Sequence, residues 1–170
     1  HKVRTIQEYK QAVEEAFLYD SKILLEQGIE AREIECAVLG NDRAESSIPG
    51  EIIPSHDFYS YEAKYLDEQG ARIVIPAQLS QEKTKDIQGL AIQTFQTQCV
   101  EGLARVDFFV EKMTEKVYVN EINTMPGFTN ISMYPKLWEA SGLSYTQLIT
   151  RLLELAITRF DREMSLKNIR

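Results

Sequence analysis

The chain has 170 residues, 44% of them hydrophobic, which is enough to bury a core and makes one compact globular domain the natural count. Its formal charge of -7 speaks against a nucleic-acid surface, because such binders cluster Lys and Arg to displace counterions, although a few basic residues can still serve one nucleotide. No apolar run approaches the roughly 18 residues of a membrane span, His1 to Arg4 do not open a signal peptide, and Cys36 and Cys99 sit in apolar runs without metal-ligand spacing, so a soluble cytoplasmic protein with two buried thiols is expected.

Thr5 followed by Glu8 forms a capping box ahead of Tyr9, Val13, Ala16 and Phe17, which recur at helical spacing, so the first element is predicted to be a helix. Lys22 to Glu26 is strand-like. Beyond Gly28, Arg32, Ile34, Cys36 and Val38 alternate with Glu33, Glu35, Ala37 and Leu39, the pattern of a half-buried strand that ends at the turn residues Gly40, Asn41 and Asp42. Strand, turn and strand continue to Pro54. From Ser55 to about Pro76 the sequence is aromatic and polar without a steady period, as in a long functional loop.

Ser80 can cap a helix whose buried stripe is Ile87, Leu90, Ala91, Phe95 and Cys99. Leu103 to Val110 and Lys116 to Asn123 are two strands joined by a polar turn around Met113 and Thr114, and Met125 to Ile131 is a loop. Ser132 to Ala140 is a short helix stopped near Gly142, and Ser144 with Gln147 opens a last helix carrying Leu148, Leu152 and Leu155. Mixed helices and strands, with neighbouring strands joined by short turns, predict an α+β fold with a mainly antiparallel sheet flanked by helices.

The chemistry concentrates on the pair of strands around that turn. On the first, Ala104, Val106, Phe108 and Val110 point one way, which leaves Arg105 and Asp107 together on the other face. On the second, Val117, Val119, Glu121 and Asn123 are expected to share a face. A turn centred on Thr114 sets Asp107 opposite Glu121 and Arg105 opposite Asn123. Two opposed carboxylates repel unless something positive lies between them, and a few hard oxygen donors are what Mg needs when substrate phosphates and water supply its other ligands. Alone, such a trio also describes a solvated sheet face. The following Thr124-Met125-Pro126-Gly127-Phe128-Thr129 can bring the bare Gly127 N–H close to an anion just before Ser132 opens a helix, although a strand-to-helix connection has the same look.

These segments, Gly102-Leu103-Ala104-Arg105-Val106-Asp107 and Val119-Asn120-Glu121-Ile122-Asn123-Thr124-Met125-Pro126-Gly127, resemble the signature of the D-alanine:D-alanine ligase family of the ATP-grasp superfamily. The run from Ala31 to Gly40 resembles the first strand of that family's C-terminal subdomain, and Phe58 to Tyr65 its omega loop, so the likeness extends to about Ala156. It implies that residues 1–27 are a remnant of the central subdomain and 28–170 the C-terminal catalytic subdomain. The N-terminal domain, the glycine-rich loop and two nucleotide-binding lysines of the family have no counterpart here, and a first residue that is not Met fits a portion of a longer chain.

The resemblance further implies an ATP- and Mg-dependent ligation of two D-alanines through an acyl phosphate, giving the dipeptide used for peptidoglycan. Glu26 and Glu33 correspond to ribose-binding carboxylates, and Gln27, Gly28 and Ile29 to the hinge that meets the adenine. Lys64 corresponds to the lysine near the γ-phosphate and Tyr65 to the tyrosine that closes the acceptor site. Asp107, Glu121 and Asn123 correspond to ligands of two Mg ions, for which Mn can substitute. Arg105 and the Gly127 N–H correspond to groups holding the reacting carboxyl oxygen, and Ser132 with the Met133 N–H to those holding the second substrate's carboxylate. A homodimer is expected of the complete protein, with no membrane partner. A D-alanine:D-serine or D-alanine:D-lactate ligase, or a non-catalytic fragment that binds ATP and Mg, are the alternatives; Tyr65, where D-lactate ligases place a histidine, favours the dipeptide.

Overall fold

The computed structural model describes residues 1–54, 71–129 and 131–166. It contains two compact units, His1–Glu30 and Ala31–Arg170.

In the first unit, α1 spans Ile6–Ala16 and opens with the expected capping box. The Thr5 hydroxyl accepts from the Glu8 N–H at 3.2 Å while the Glu8 carboxylate accepts from the N–H groups of Thr5 and Arg4 at 3.2 and 2.6 Å. The strand expected over Lys22 to Glu26 does not form, and the segment is irregular. A strand persists only where a ladder satisfies its N–H and C=O groups, and among the described residues no strand pairs with this one; Leu24 and Leu25 are accordingly 82% and 68% exposed.

The second unit is built on β1 (Ala31–Gly40), β2 (Glu45–Ser46), β3 (Gly50–Pro54), β4 (Ala71–Val74), β5 (Gly102–Glu111) and β6 (Val117–Asn123). Every pairing is antiparallel, in the order β4-β3-β1-β5-β6 with β2 added to β1. Helices α2 (Gln81–Thr97), α3 (Met133–Ala140) and α4 (Tyr145–Ser165) complete it. The side chains of Ser80 and Ser144 cap α2 and α4 by accepting from the N–H groups of Lys83 and Gln147.

One sheet face packs Ile34, Cys36, Val38, Ala104, Val106, Phe108 and Val110 against Ile87, Ala91 and Phe95 of α2. The other packs Ala37 and Leu39 against Met133, Tyr134, Leu137 and Trp138 of α3 and Leu148 of α4. The central strand β1 is therefore buried on both faces from Ile34 onward rather than half-buried, because helices cover the sheet on two sides. The Tyr134 hydroxyl donates to the Val38 carbonyl at 3.0 Å, tying α3 to the sheet.

Two further expectations are corrected. Part of the long loop is strand: Ala71–Val74 pairs with β3, its short apolar run completing an edge. Cys99 is exposed, not buried. It follows the end of α2 with φ 53°, a turn that carries it off the helix's buried stripe.

The β5–β6 pair contains the detail that builds the site. Near the turn, Val110 faces Val117 and Phe108 faces Val119, but Asp107 faces Glu121, with a register shift between Asp107 and Phe108. Asn120 is the extra residue of this bulge. Val117 and Val119 thus share the face of Val110 and Phe108, whereas Glu121 and Asn123 share the opposite face with Asp107 and Arg105. The expected single face for all four β6 residues is wrong, and the bulge is the reason.

Candidate active site

The face that carries α3 and α4 changes character along the strands. At one end Leu39 pairs with Leu103 beneath the helices; beyond Ala37 and Arg105, Glu35 lies opposite Asp107 and Glu33 opposite Phe109. This polar end, with Glu121 and Asn123 from β6, lines a cleft of about 480 Å³ whose opposite wall is formed by Gly127, Thr129, Ser132 and Met133. A shallower concavity of about 560 Å³ over Lys83, Asp86 and Gln93 carries none of these groups.

Within the cleft, Arg105 clasps Asp107 through two bonds, Nε to Oδ1 and Nη2 to Oδ2, both 2.7 Å. A second carboxylate, Glu35, places Oε2 3.0 Å from the same Nε. The Asn123 amide donates to Asp107 Oδ2 at 3.2 Å and to Glu121 Oε1 at 3.1 Å. Burial pushes the Asp107 carboxyl up from its ordinary value; Arg105 opposes that shift and the charge of Glu121 adds to it. Burial alone would lower the pKa of Arg105, but the bond to Asp107 and the charges of Glu35 and Asp107 hold it above the ordinary value. Asp107 and Glu121 side by side, held by one amide, are a donor set that favours a hard cation. Among the described residues no three His, Cys, Asp or Glu side chains group as a cage, so substrate or water would complete any coordination.

The loop after β6 comes close to the start of α3. A Cβ on Gly127 would lie 2.9 Å from Ser132 Oγ, so glycine is what fits there. Ser132 occupies the N-cap position of α3 but makes no side-chain cap. Its hydroxyl instead accepts from the Thr129 N–H and pairs with the Thr129 hydroxyl, both at 2.9 Å. Met133 buries its side chain in the core below, which leaves the backbone at the helix start beside the cleft.

The structure therefore brings together Glu33, Arg105, Asp107, Glu121, Asn123, Gly127, Ser132 and Met133. Glu26, Gln27, Gly28 and Ile29 lie in the irregular end of the first unit. Lys64 and Tyr65 lie outside the described residues. Glu35 was missed by the reading of the sequence, where it counted only as the polar phase of an alternating strand. The signal was available: an acid within a strand otherwise rich in buried apolar residues needs a cation, and the strand beside it supplies Arg105. Arg32 and Glu51 are a comparable pair away from the cleft, bonded twice at 2.8 and 2.6 Å.

Comparison with known proteins agrees with this architecture. A family model described as D-ala D-ala ligase C-terminus matches residues 1–154. A D-alanine--D-alanine ligase of Shouchella clausii is 56% identical over 168 residues, 99% of this chain and 45% of that protein. The solved D-alanine-D-alanine ligase of Coxiella burnetii superposes with a TM-score of 0.83 at 48% identity, over 96% of this chain and 42% of that one. The VanG D-Ala:D-Ser ligase of Enterococcus faecalis gives a TM-score of 0.78 at 35% identity, over 89% and 43%. The chain thus spans about half the length of the relatives it matches, and it belongs to the D-alanine–D-alanine ligase family, whose C-terminal portion it carries.

Proposed function

We propose that this chain carries the metal-binding and acceptor side of an enzyme that joins two D-alanines at the expense of ATP to form D-alanyl-D-alanine. The observation that carries the reading is the convergence of Asp107, Glu121 and Asn123 with Arg105 on one sheet face, opposite Gly127 and Ser132. Asp107, Glu121 and Asn123 would hold Mg, two ions in the full reading, which supplies charge neutralisation on the ATP phosphates. Glu26, Glu33 and the backbone of Gln27, Gly28 and Ile29 would bind the nucleoside, and Lys64 the γ-phosphate.

The γ-phosphoryl group passes to a carboxylate oxygen of the first D-alanine, ADP leaves, and an acyl phosphate results. The amine of the second D-alanine, once its ammonium proton is lost to solvent, then attacks the acyl carbon; one N–H proton passes to the departing phosphate as collapse of the tetrahedral adduct breaks the carbon–oxygen bond, giving the amide and hydrogen phosphate. Arg105 and the Gly127 N–H would serve as fixed donors to the developing oxyanion, which cost no reorganisation as charge builds. Ser132 and the Met133 N–H, at the positive end of α3, suit the acceptor's carboxylate, since the Ser132 side chain leaves that end uncapped. Tyr65, unlike a histidine at that position, has no cationic form and so would not repel an ammonium acceptor. The 56% and 48% identity to the Shouchella clausii and Coxiella burnetii D-alanine ligases, against 35% to the VanG enzyme, supports D-alanine over D-serine. The complete protein is read as a cytoplasmic homodimer; no helix among the described residues is long and apolar enough to cross a membrane.

The test is phosphate release and dipeptide formation by the complete protein with ATP, Mg and D-alanine. Asp107→Asn and Glu121→Gln are each expected to reduce turnover by a factor of about 100 or more, since each removes charge opposite the transferring phosphoryl group. Near wild-type turnover in either variant would overturn the metal assignment.

A further inference from the structure

Glu35 and Asp107 are directly paired across β1 and β5, so their side chains leave the sheet side by side on one face. Arg105 stands between them. Its Nε lies 2.7 Å from Asp107 Oδ1 and 3.0 Å from Glu35 Oε2, and the single Nε–H is directed at Asp107. All three side chains are largely withdrawn from water, at 20% exposure for Arg105, 13% for Asp107 and 11% for Glu35. A charge stranded there without a partner is costly.

As the residues stand, both oxygens of Asp107 accept from Arg105, and Oδ2 accepts from Asn123 as well. A cation held by Asp107 must take a lone pair from this arrangement, so metal and guanidinium compete for the same carboxylate. With Asp107 as its sole counter-charge, Arg105 would resist giving it up. Glu35 changes that balance, because its oxygen is already within reach of Nε and no backbone need move for the bond to be exchanged.

We infer that Glu35 is a positioning residue: it keeps Arg105 in place when Asp107 turns to a metal ion, and it thereby sets how readily the Asp107, Glu121 and Asn123 group binds one. The inference rests on the metal-binding reading proposed above. It also gives Arg105 one fixed orientation through the reaction, since the guanidinium need not follow Asp107.

Mn²⁺ alone is the probe, titrated into the full 170-residue chain while electron paramagnetic resonance reads the free ion. Glu35→Gln is expected to weaken Mn²⁺ binding by about tenfold, the size of one hydrogen bond to a charged group. Loss of a negative charge would weaken it directly too, so the titration is repeated with Arg105→Met. If Glu35 acts through Arg105, Glu35→Gln in that background changes affinity by less than about twofold; a full effect there overturns the inference. Glu35→Asp keeps the charge but shortens the reach, and serves if Glu35→Gln does not fold: weakened binding supports the contact, wild-type affinity overturns it. A wild-type chain that binds no Mn²⁺ overturns the metal site and the inference together, whereas normal binding by both wild type and Glu35→Gln overturns the inference alone.

Discussion

A methyl group added at Gly127 would sit 2.9 Å from Ser132 Oγ, and that hydroxyl is held by the Thr129 N–H and hydroxyl. Gly127→Ala must therefore turn the Ser132 side chain or shift the loop, disturbing the wall that faces Arg105. On the proposed reading, in the complete protein it is expected to raise the KM for the acceptor by about tenfold, a loss near that of one charge-assisted hydrogen bond, with thermal stability little changed; steady-state kinetics read the first and a melting curve the second. The two cysteines separate just as clearly. Cys36 lies in the core, where burial pushes its thiol up to about 12, while Cys99 is exposed. Iodoacetamide at pH 8 should label Cys99 in the folded protein and reach Cys36 only after denaturation. The pH dependence follows from the same fact. Unfolding returns Cys36 to a value near 9.0, so the unfolded chain loses its proton first and the folded state's advantage, intact below pH 9, declines as pH rises and is gone by about 12. Denaturant unfolding should show wild type losing about 1 kcal/mol more than Cys36→Ala between pH 8 and 10.

At the scale of elements, β6 accommodates one inserted residue by bulging it out of the ladder. With Asn120 bulged out, Val117 and Val119 continue the face of Phe108 and Val110 while Glu121 and Asn123 join Asp107 in the cleft. Deleting Asn120 would restore a regular ladder in which Val119 still faces Phe108 and Glu121 still faces Asp107, so Glu121 stays in the cleft and Val119 on the packed side. The variant is expected to melt close to wild type and to keep Mn²⁺ binding; a melting temperature far below wild type, or lost Mn²⁺ binding, would show that the bulge itself shapes the cleft. This element also marks how far the sequence could be read. The turn at Thr114 placed Asp107 opposite Glu121 and Arg105 opposite Asn123, as observed. Local signals did well, as at Thr5–Glu8 and Ser144–Gln147, because a cap is completed within a few residues of chain. What pattern alone could not reveal depended on distant partners. The bulge shows only when the register on both sides of Asp107 is known, β4 exists because β3 offers it an edge, and the double burial of β1 needs α2 on one side and α3 on the other. Glu35 belongs with these, since its role comes from a residue 70 positions away in sequence, Arg105.

For the whole molecule, the distribution of buried residues decides what the chain can do alone. Among the described residues, the buried hydrophobic core, from Ile34 to Leu148, lies in the unit Ala31–Arg170, with both sheet faces covered by helices. The unit His1–Glu30 has an 11-residue helix with no buried residue, and helices of that length are marginal in water without packing. The isolated chain is expected to fold as a stable body over Ala31 to Ser165. Amide exchange should be slow in β1 and β5 and fast throughout His1 to Glu30. Activity is a separate matter. On the proposed reading, ligation requires both substrates and ATP to be held in reactive register, and the chain matches 45% of the length of the Shouchella clausii ligase. The groups on the cleft face, Arg105 with Asp107, Glu121 and Asn123, suit charge stabilisation, and on the proposed reading the grip on the first D-alanine comes from the part not represented. Dispersed amide signals, protection confined to the second unit, and no dipeptide from ATP, Mg and D-alanine are the expected results for the 170-residue chain. Appreciable dipeptide synthesis by this chain alone would place the donor grip within these residues and overturn the assignment of that role to the other half.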